Sequence, residues 1–156
     1  MTDAINPSLI GKAGEMLVAA ELMRRGVEVA YPASDVGVDL LAYRLERGQA
    51  VAGKFVPIQV KARSGTGYAF LKSWFKRAPG VVLVQVWHVA ETPEFYIFRN
   101  LTDVEAALDT HAASESWRTK GGYSITNPTQ RHLELMNAHC GRWERITDCL
   151  VPPISN

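Results

Sequence analysis

Residues 36–63 read VGVDLLAYRLERGQAVAGKFVPIQVKAR, and the alternation inside this stretch decides the fold. Two apolar runs, VGVDLLA and FVPIQVKAR, flank Glu46-Arg47-Gly48-Gln49, whose composition is that of a turn. The pattern predicts strands over 36–45 and about 51–63, joined as a hairpin. If the hairpin is centred near Gln49, Asp39 lies across from Gln59, since both are ten positions away. Period-2 geometry sends Gln59, Lys61 and Arg63 to one face and Val56, Ile58, Val60 and Ala62 to the other. Asp39, Gln59 and Lys61 are thus polar groups inside hydrophobic strands, and such groups are costly unless paired or bound to something.

Outward from the hairpin, the elements alternate in kind. Asn6-Pro7 has the form of an N-cap followed by proline at the first helical position, which predicts a helix to about Arg25 with Gly26 as its stop. A short strand over 27–31 and a turn at Pro32-Ala33-Ser34-Asp35 lead into the hairpin. Ser64-Gly65-Thr66-Gly67 then opens a predicted aromatic helix over 68–77, closed by Pro79-Gly80. The run VVLVQVWHVA at 81–90 suits a buried central strand, parallel to the second hairpin strand, and 94–98 suits another. Thr102-Asp103-Val104-Glu105 has a capping-box pattern for a helix to about His111. Gly121-Gly122 starts a strand or loop, and Asn127-Pro128 a last helix to about Cys140. The order is that of an α/β fold on a mixed sheet.

A length of 156 residues, 47% hydrophobic and 21% charged, fits one soluble domain, with a core over about 8–99 and a C-terminal α+β extension over about 100–156. The polar start at Asp3 is unlike a signal peptide, and the longest apolar run is too short to span a bilayer. Cys140 and Cys149 have no metal-ligand spacing and read as reduced thiols, so a cytoplasmic protein without a membrane partner is expected. His132 and His139, seven apart, read as a surface pair, and Trp117 and Trp143 as core anchors of the extension. The net charge of +1 conceals a segment from Arg47 to Ala90 with no acid and seven cations: Arg47, Lys54, Lys61, Arg63, Lys72, Lys76 and Arg77. Such a block attracts anions.

On the first helix, Glu15 shares a face with Gly11, Val18, Ala19 and Leu22, while Lys12, Glu21, Arg24 and Arg25 fall elsewhere on the wheel. A lone carboxylate among small and apolar residues suggests a face that meets the sheet, and the glycines of Gly11-Lys12-Ala13-Gly14 would let the two approach closely.

The segments GKAGEMLVAAELMRRGVEV, SDVGVDLLA and PIQVKARSG together resemble the PD-(D/E)XK nuclease superfamily, in particular its Holliday-junction-resolvase-like and restriction-endonuclease-like branch, over roughly residues 8–90. The resemblance implies a three-layer αβββαβ core. It places the helical acid at Glu15, the hairpin acid at Asp39 and the acid-x-Lys motif at Gln59 and Lys61. Two positions depart from the pattern. Val38 replaces a proline that does no chemistry, and Gln59 replaces an acid, as in the Gln-x-Lys variant of some homing endonucleases.

The activity implied is metal-dependent hydrolysis of DNA. Mg²⁺, with Mn²⁺ as substitute, takes oxygen ligands, here the Asp39 carboxylate, the Gln59 amide oxygen and the Val60 carbonyl, with Glu15 holding a water or a second cation. Lys61 would orient or deprotonate the attacking water. Arg63, Lys72, Lys76, Arg77 and Ser34 would contact phosphates without reading sequence. Branched or recombination intermediates are candidate substrates, and symmetric cutting of two strands calls for a homodimer. The competing expectation is a catalytically inactive nuclease-fold module for nucleic-acid binding or assembly, which Gln59 favours.

Overall fold

A computed structural model describes residues 5–34, 36–46 and 49–151. Asp3, Asp35, Arg47 and Gly48, which figure in the reading of the sequence, lie outside the described residues. The chain is α/β, with a mixed five-stranded sheet and several helices. Helix α1 (Pro7–Met23) starts as its sequence dictates: Asn6 accepts a hydrogen bond from the Ser8 N–H at 2.9 Å, and Pro7 occupies the first turn. Gly26 follows the helix in the left-handed region at φ +70°. Strands β1 (Glu28–Ala30), β2 (Leu40–Glu46) and β3 (Gln49–Ala62) form an antiparallel meander.

The β2–β3 hairpin closes at Glu46↔Gln49, so its turn lies short of Gln49. An irregularity between Tyr43 and Leu45 then shifts the register to Leu40↔Ile58. One residue further, Asp39 comes opposite Gln59. The expected pairing is reached through a bulge rather than through a turn centred on Gln49.

The segment after β3 differs from the predicted aromatic helix over 68–77. Residues Tyr68–Leu71 form a strand, β4, and Lys72–Lys76 a 3-10 turn. The reason is a partner far along the chain. β4 pairs antiparallel with β7 (Gly122–Ile125), from Tyr68↔Ile125 to Leu71↔Gly122, and this burial puts the alternate side chains Tyr68 and Phe70 out of solvent. Beyond the turn, β5 (Val82–Trp87) is buried at every position and lies parallel to β3; β6 (Glu94–Phe98) pairs antiparallel with β5. The sheet order is β1-β2-β3-β5-β6.

Apolar residues cover both faces. On one, Val18, Ala19 and Leu22 of α1 pack on Leu40, Ile58, Val60, Val82 and Val84, with Trp143 and Ile146 beside them. Gly14 is essential to this contact, because a Cβ there would collide with the Cβ of Ala62. On the other face, Tyr68, Phe70, Leu83, Trp87 and Phe98 pack with α2 (Leu101–Leu108), Trp117 and Met136 of α3 (Gln130–Asn137). Trp117 and Trp143 are core anchors, 0% and 5% exposed. The N-cap of α2 is Asn100, which accepts from the Asp103 N–H, rather than the expected Thr102. A short helix, α4 (Glu144–Thr147), leads into a 3-10 turn over Asp148–Leu150 that buries Leu150 in the core. Among the described residues no helix is long and apolar enough to cross a membrane.

The histidines correct another expectation. His139 is buried, 4% exposed, between Phe98 and Arg145. His132 lies with its Nε2 2.9 Å from that of His111. They are not a pair on one surface face, because the chain leaves α3 at Asn137.

Candidate functional site

The end of the β2–β3 pair is built around Asp39. Its backbone N–H donates to the Ile58 carbonyl at 2.8 Å, and its carboxylate Oδ2 accepts the Val60 N–H at 2.6 Å. The acid is therefore tied to the β3 backbone between the side chains of Gln59 and Lys61. A carboxylate accepting a backbone N–H makes a charge-assisted bond of the strong kind.

Asp39 also lines a cleft of about 220 Å³ with Val38, with Lys12 and Glu15 of α1, and with Tyr31, Pro32 and Ser34 of the loop after β1. The structure thus brings Glu15, Asp39 and Ser34 together. Gln59 and Lys61 flank the anchor of Asp39 without lining the cleft. Lys12, which the helical wheel sets apart from Glu15, lies 2.6 Å from its carboxylate and 5.0 Å from the centre of the Tyr31 ring. The hydrogen bond to Glu15 raises the pKa of Lys12; partial desolvation opposes this, and the charges of Glu15, Tyr31 and Asp39 add to it. The three-residue spacing of Lys12 and Glu15 was the available signal for this pair.

Gln59 is 4% exposed, and its Oε1 is a buried acceptor with no hydrogen-bond partner among the described residues. Lys61 is half-buried, its ammonium 5.1 Å from the centre of the Trp74 ring. Trp74 and Phe75 pack against the cluster that holds Tyr68 and Phe70.

The four predicted phosphate-binding cations separate into three places. Arg63 is half-buried, which lowers its pKa through desolvation, and its guanidinium lies under Gly67, where a Cβ would strike Nη1. Arg77 lies with its side chain against Gly37, two residues before Asp39, where a Cβ would meet its Cγ at 2.9 Å. Lys72 and Lys76 line a second cleft of about 360 Å³ together with Arg118 and Lys120 of the extension. Those last two cations lie outside the acid-free block, and local charge counting gave no reason to join them to it.

The two carboxylates of the cleft and the orphaned amide oxygen of Gln59, which lies outside its lining, are oxygen donors of the kind a hard cation takes. Among the described residues no group of three His, Cys, Asp or Glu side chains converges to hold a metal, so the fit depends on the Gln59 amide. No protein-family model, curated protein or solved structure matches this chain.

Proposed function

We propose that the protein is a metal-dependent nuclease of the restriction-endonuclease-like fold that hydrolyses DNA phosphodiester bonds. The observation that carries this reading is the bond from the Val60 N–H to Asp39, which fixes one acid of the cleft between Gln59 and Lys61. The strand order supports the fold assignment: a helix, an antiparallel meander and then a strand parallel to β3. The crossover departs from that fold in carrying β4 and a 3-10 turn where a helix is usual.

Asp39, Glu15, Gln59 and the Val60 carbonyl would hold Mg²⁺ or Mn²⁺. The cation would supply positive charge beside the scissile phosphate and make water a stronger acid. The chain's own residues do the rest. Asp39 is held immobile by its bond to β3. Lys12 keeps Glu15 compensated. Lys61 is placed against Trp74, where its positive charge can balance phosphate charge near the end of β3. Val38, Pro32 and the Tyr31 ring wall the cleft.

A homodimer in the cytoplasm belongs to the same proposal. Leu9, Met16 and Met23 are exposed by 62%, 59% and 54% at seven-residue spacing along α1, a stripe on which a second copy could pack.

The second reading, an inactive binding or assembly module, is favoured by the burial of Gln59 and by Lys61 and Gln59 not lining the cleft. Supercoiled and branched DNA incubated with Mg²⁺ or Mn²⁺ separates the two. Nicking by the wild type that is lost in Asp39→Ala supports the nuclease. Intact DNA with the wild type and with Gln59→Glu overturns it and leaves the binding module.

A further inference from the structure

The second cleft is formed by two turns from distant parts of the chain, the 3-10 turn Lys72–Lys76 and the π-helical turn Ser116–Lys120. Its lining includes Lys72, Ser73, Lys76, Arg118, Thr119 and Lys120, and no acid. None of the four cations makes an ion pair with a described residue. Like charges gathered without a counter-charge repel one another, and the assembly is favoured by an anion bound among them.

The cations are carried on a rigid frame rather than on loose loops. β4 and β7 pair up to Leu71↔Gly122, and the Lys72 N–H donates to the Gly121 carbonyl at 2.8 Å. The ammonium of Lys72 lies 4.8 Å from the ring centre of Trp117, which is fully buried and itself oriented by a 3.1 Å bond from its Nε1 to Glu105. Ser116 Oγ donates to the Gly122 carbonyl at 2.7 Å, and Gly121 closes the turn at φ +70°. Lys76, Arg118, Thr119 and Lys120 are exposed around this frame.

We infer that this cleft binds the phosphate backbone of a nucleic acid, with Arg118 and Lys120 of the extension completing a grip begun by Lys72 and Lys76. The inference deepens the nuclease reading by naming where the substrate strand is held, and its binding chemistry does not require cleavage. Ser73 adds a hydroxyl that can donate to a phosphate oxygen, whereas the Thr119 hydroxyl already donates to the Glu115 carbonyl. Contacts from these cations to phosphate oxygens carry no sequence information, so the grip is sequence-blind. From Lys72 the chain runs through the 3-10 turn to Arg77, about 10 Å at 2 Å per residue, and Arg77 lies against Gly37 beside the Asp39 cleft.

The test is binding of a short DNA duplex and a branched DNA in EDTA, across a salt series, for the full chain and for Arg118→Ala/Lys120→Ala. The expected result is weaker binding with a log–log salt slope reduced by about two, one for each lost contact, and an unchanged melting temperature. The same slope in the variant as in the wild type would overturn the grip while leaving the Asp39 site standing. Failure of the wild type to bind either DNA at low salt would also overturn it. So would saturable binding of inorganic phosphate without DNA binding, which would reassign the cleft to a small anion. Cleavage, assayed separately with Mg²⁺, reports on the nuclease reading alone.

Discussion

In the cleft at the entry to β2, Lys12 lies 2.6 Å from Glu15 and Asp39 accepts the Val60 amide at 2.6 Å. In the cleft between 72–76 and 116–120, four cations converge with no acid in the lining. In the first cleft each acid has a partner within the protein, Lys12 for Glu15 and the Val60 N–H for Asp39, and the lining belongs wholly to residues 12–39. The second is uncompensated and exists only because the extension folds back on the core. A compensated cleft must give up an internal partner before its acids can take a metal. An uncompensated one is completed by an anion from outside.

The most severe way to break this contrast is to remove the acid. Asp39→Ala should abolish cleavage of supercoiled DNA while leaving binding in EDTA unchanged or slightly tighter, because a carboxylate that repels phosphate has gone. It should also cost about 1–3 kcal/mol of stability, since the Val60 N–H loses its acceptor. Cleavage assays, DNA titration and urea denaturation read the three effects. Lys61→Ala should also stop cleavage, but with weaker DNA binding, since a cation near the phosphate is lost.

Acid should act on the extension rather than on the first cleft. Burial, reinforced by the Arg145 charge, lowers the pKa of His139 to about 4 from 6.5. Above pH 6.5 the group is neutral in both the folded and unfolded states. Below it the unfolded chain takes the proton first, so stability falls between pH 6.5 and 4, by at most about 3 kcal/mol from this group. Thermal melts at pH 7 and 4.5 should show the loss, and His139→Gln should flatten the dependence.

Gln59→Glu should tighten Mg²⁺ binding and preserve or raise activity, since a carboxylate is the stronger ligand for a hard cation. The same variant should melt lower in EDTA and recover in Mg²⁺, because it buries an uncompensated charge. The smallest effect belongs to Lys12→Ala, which frees Glu15 from its partner. Mn²⁺ titration should show modestly tighter binding, and tightening of the same size in Lys61→Ala would erase the distinction between the two lysines.

The first cleft was more legible in the sequence than the second, for a physical reason. Asp39, Gln59 and Lys61 stood out because they interrupt apolar runs, and the alternation of the hairpin put Asp39 opposite Gln59 even though the turn was placed too late. Local rules also gave Asn6, Gly26 and a buried strand within 81–90, which the structure has at 82–87. They failed over 68–77, where Tyr68, Phe70, Trp74 and Phe75 satisfy a helix as well as a strand. The choice was made by β7, more than fifty residues downstream. Arg118 and Lys120 were missed for the same reason, since nothing near them in the chain marks them as neighbours of Lys72. Lys12 was missed because the wheel separates faces by angle, whereas a long side chain reaches across one turn to Glu15.

The β4–β7 pairing also sets an order of events at the ribosome. At about 5–20 residues per second, β7 is synthesised several seconds after β4. During that interval β4 has no strand partner and the aromatic rings of Tyr68 and Phe70 lack their final cover, although both strands of the β2–β3 hairpin are already made. The β2–β3 hairpin that carries Asp39 can therefore form before the second cleft exists, and a newly made chain passes through a stage in which it has Glu15 and Asp39 but not yet Arg118 and Lys120.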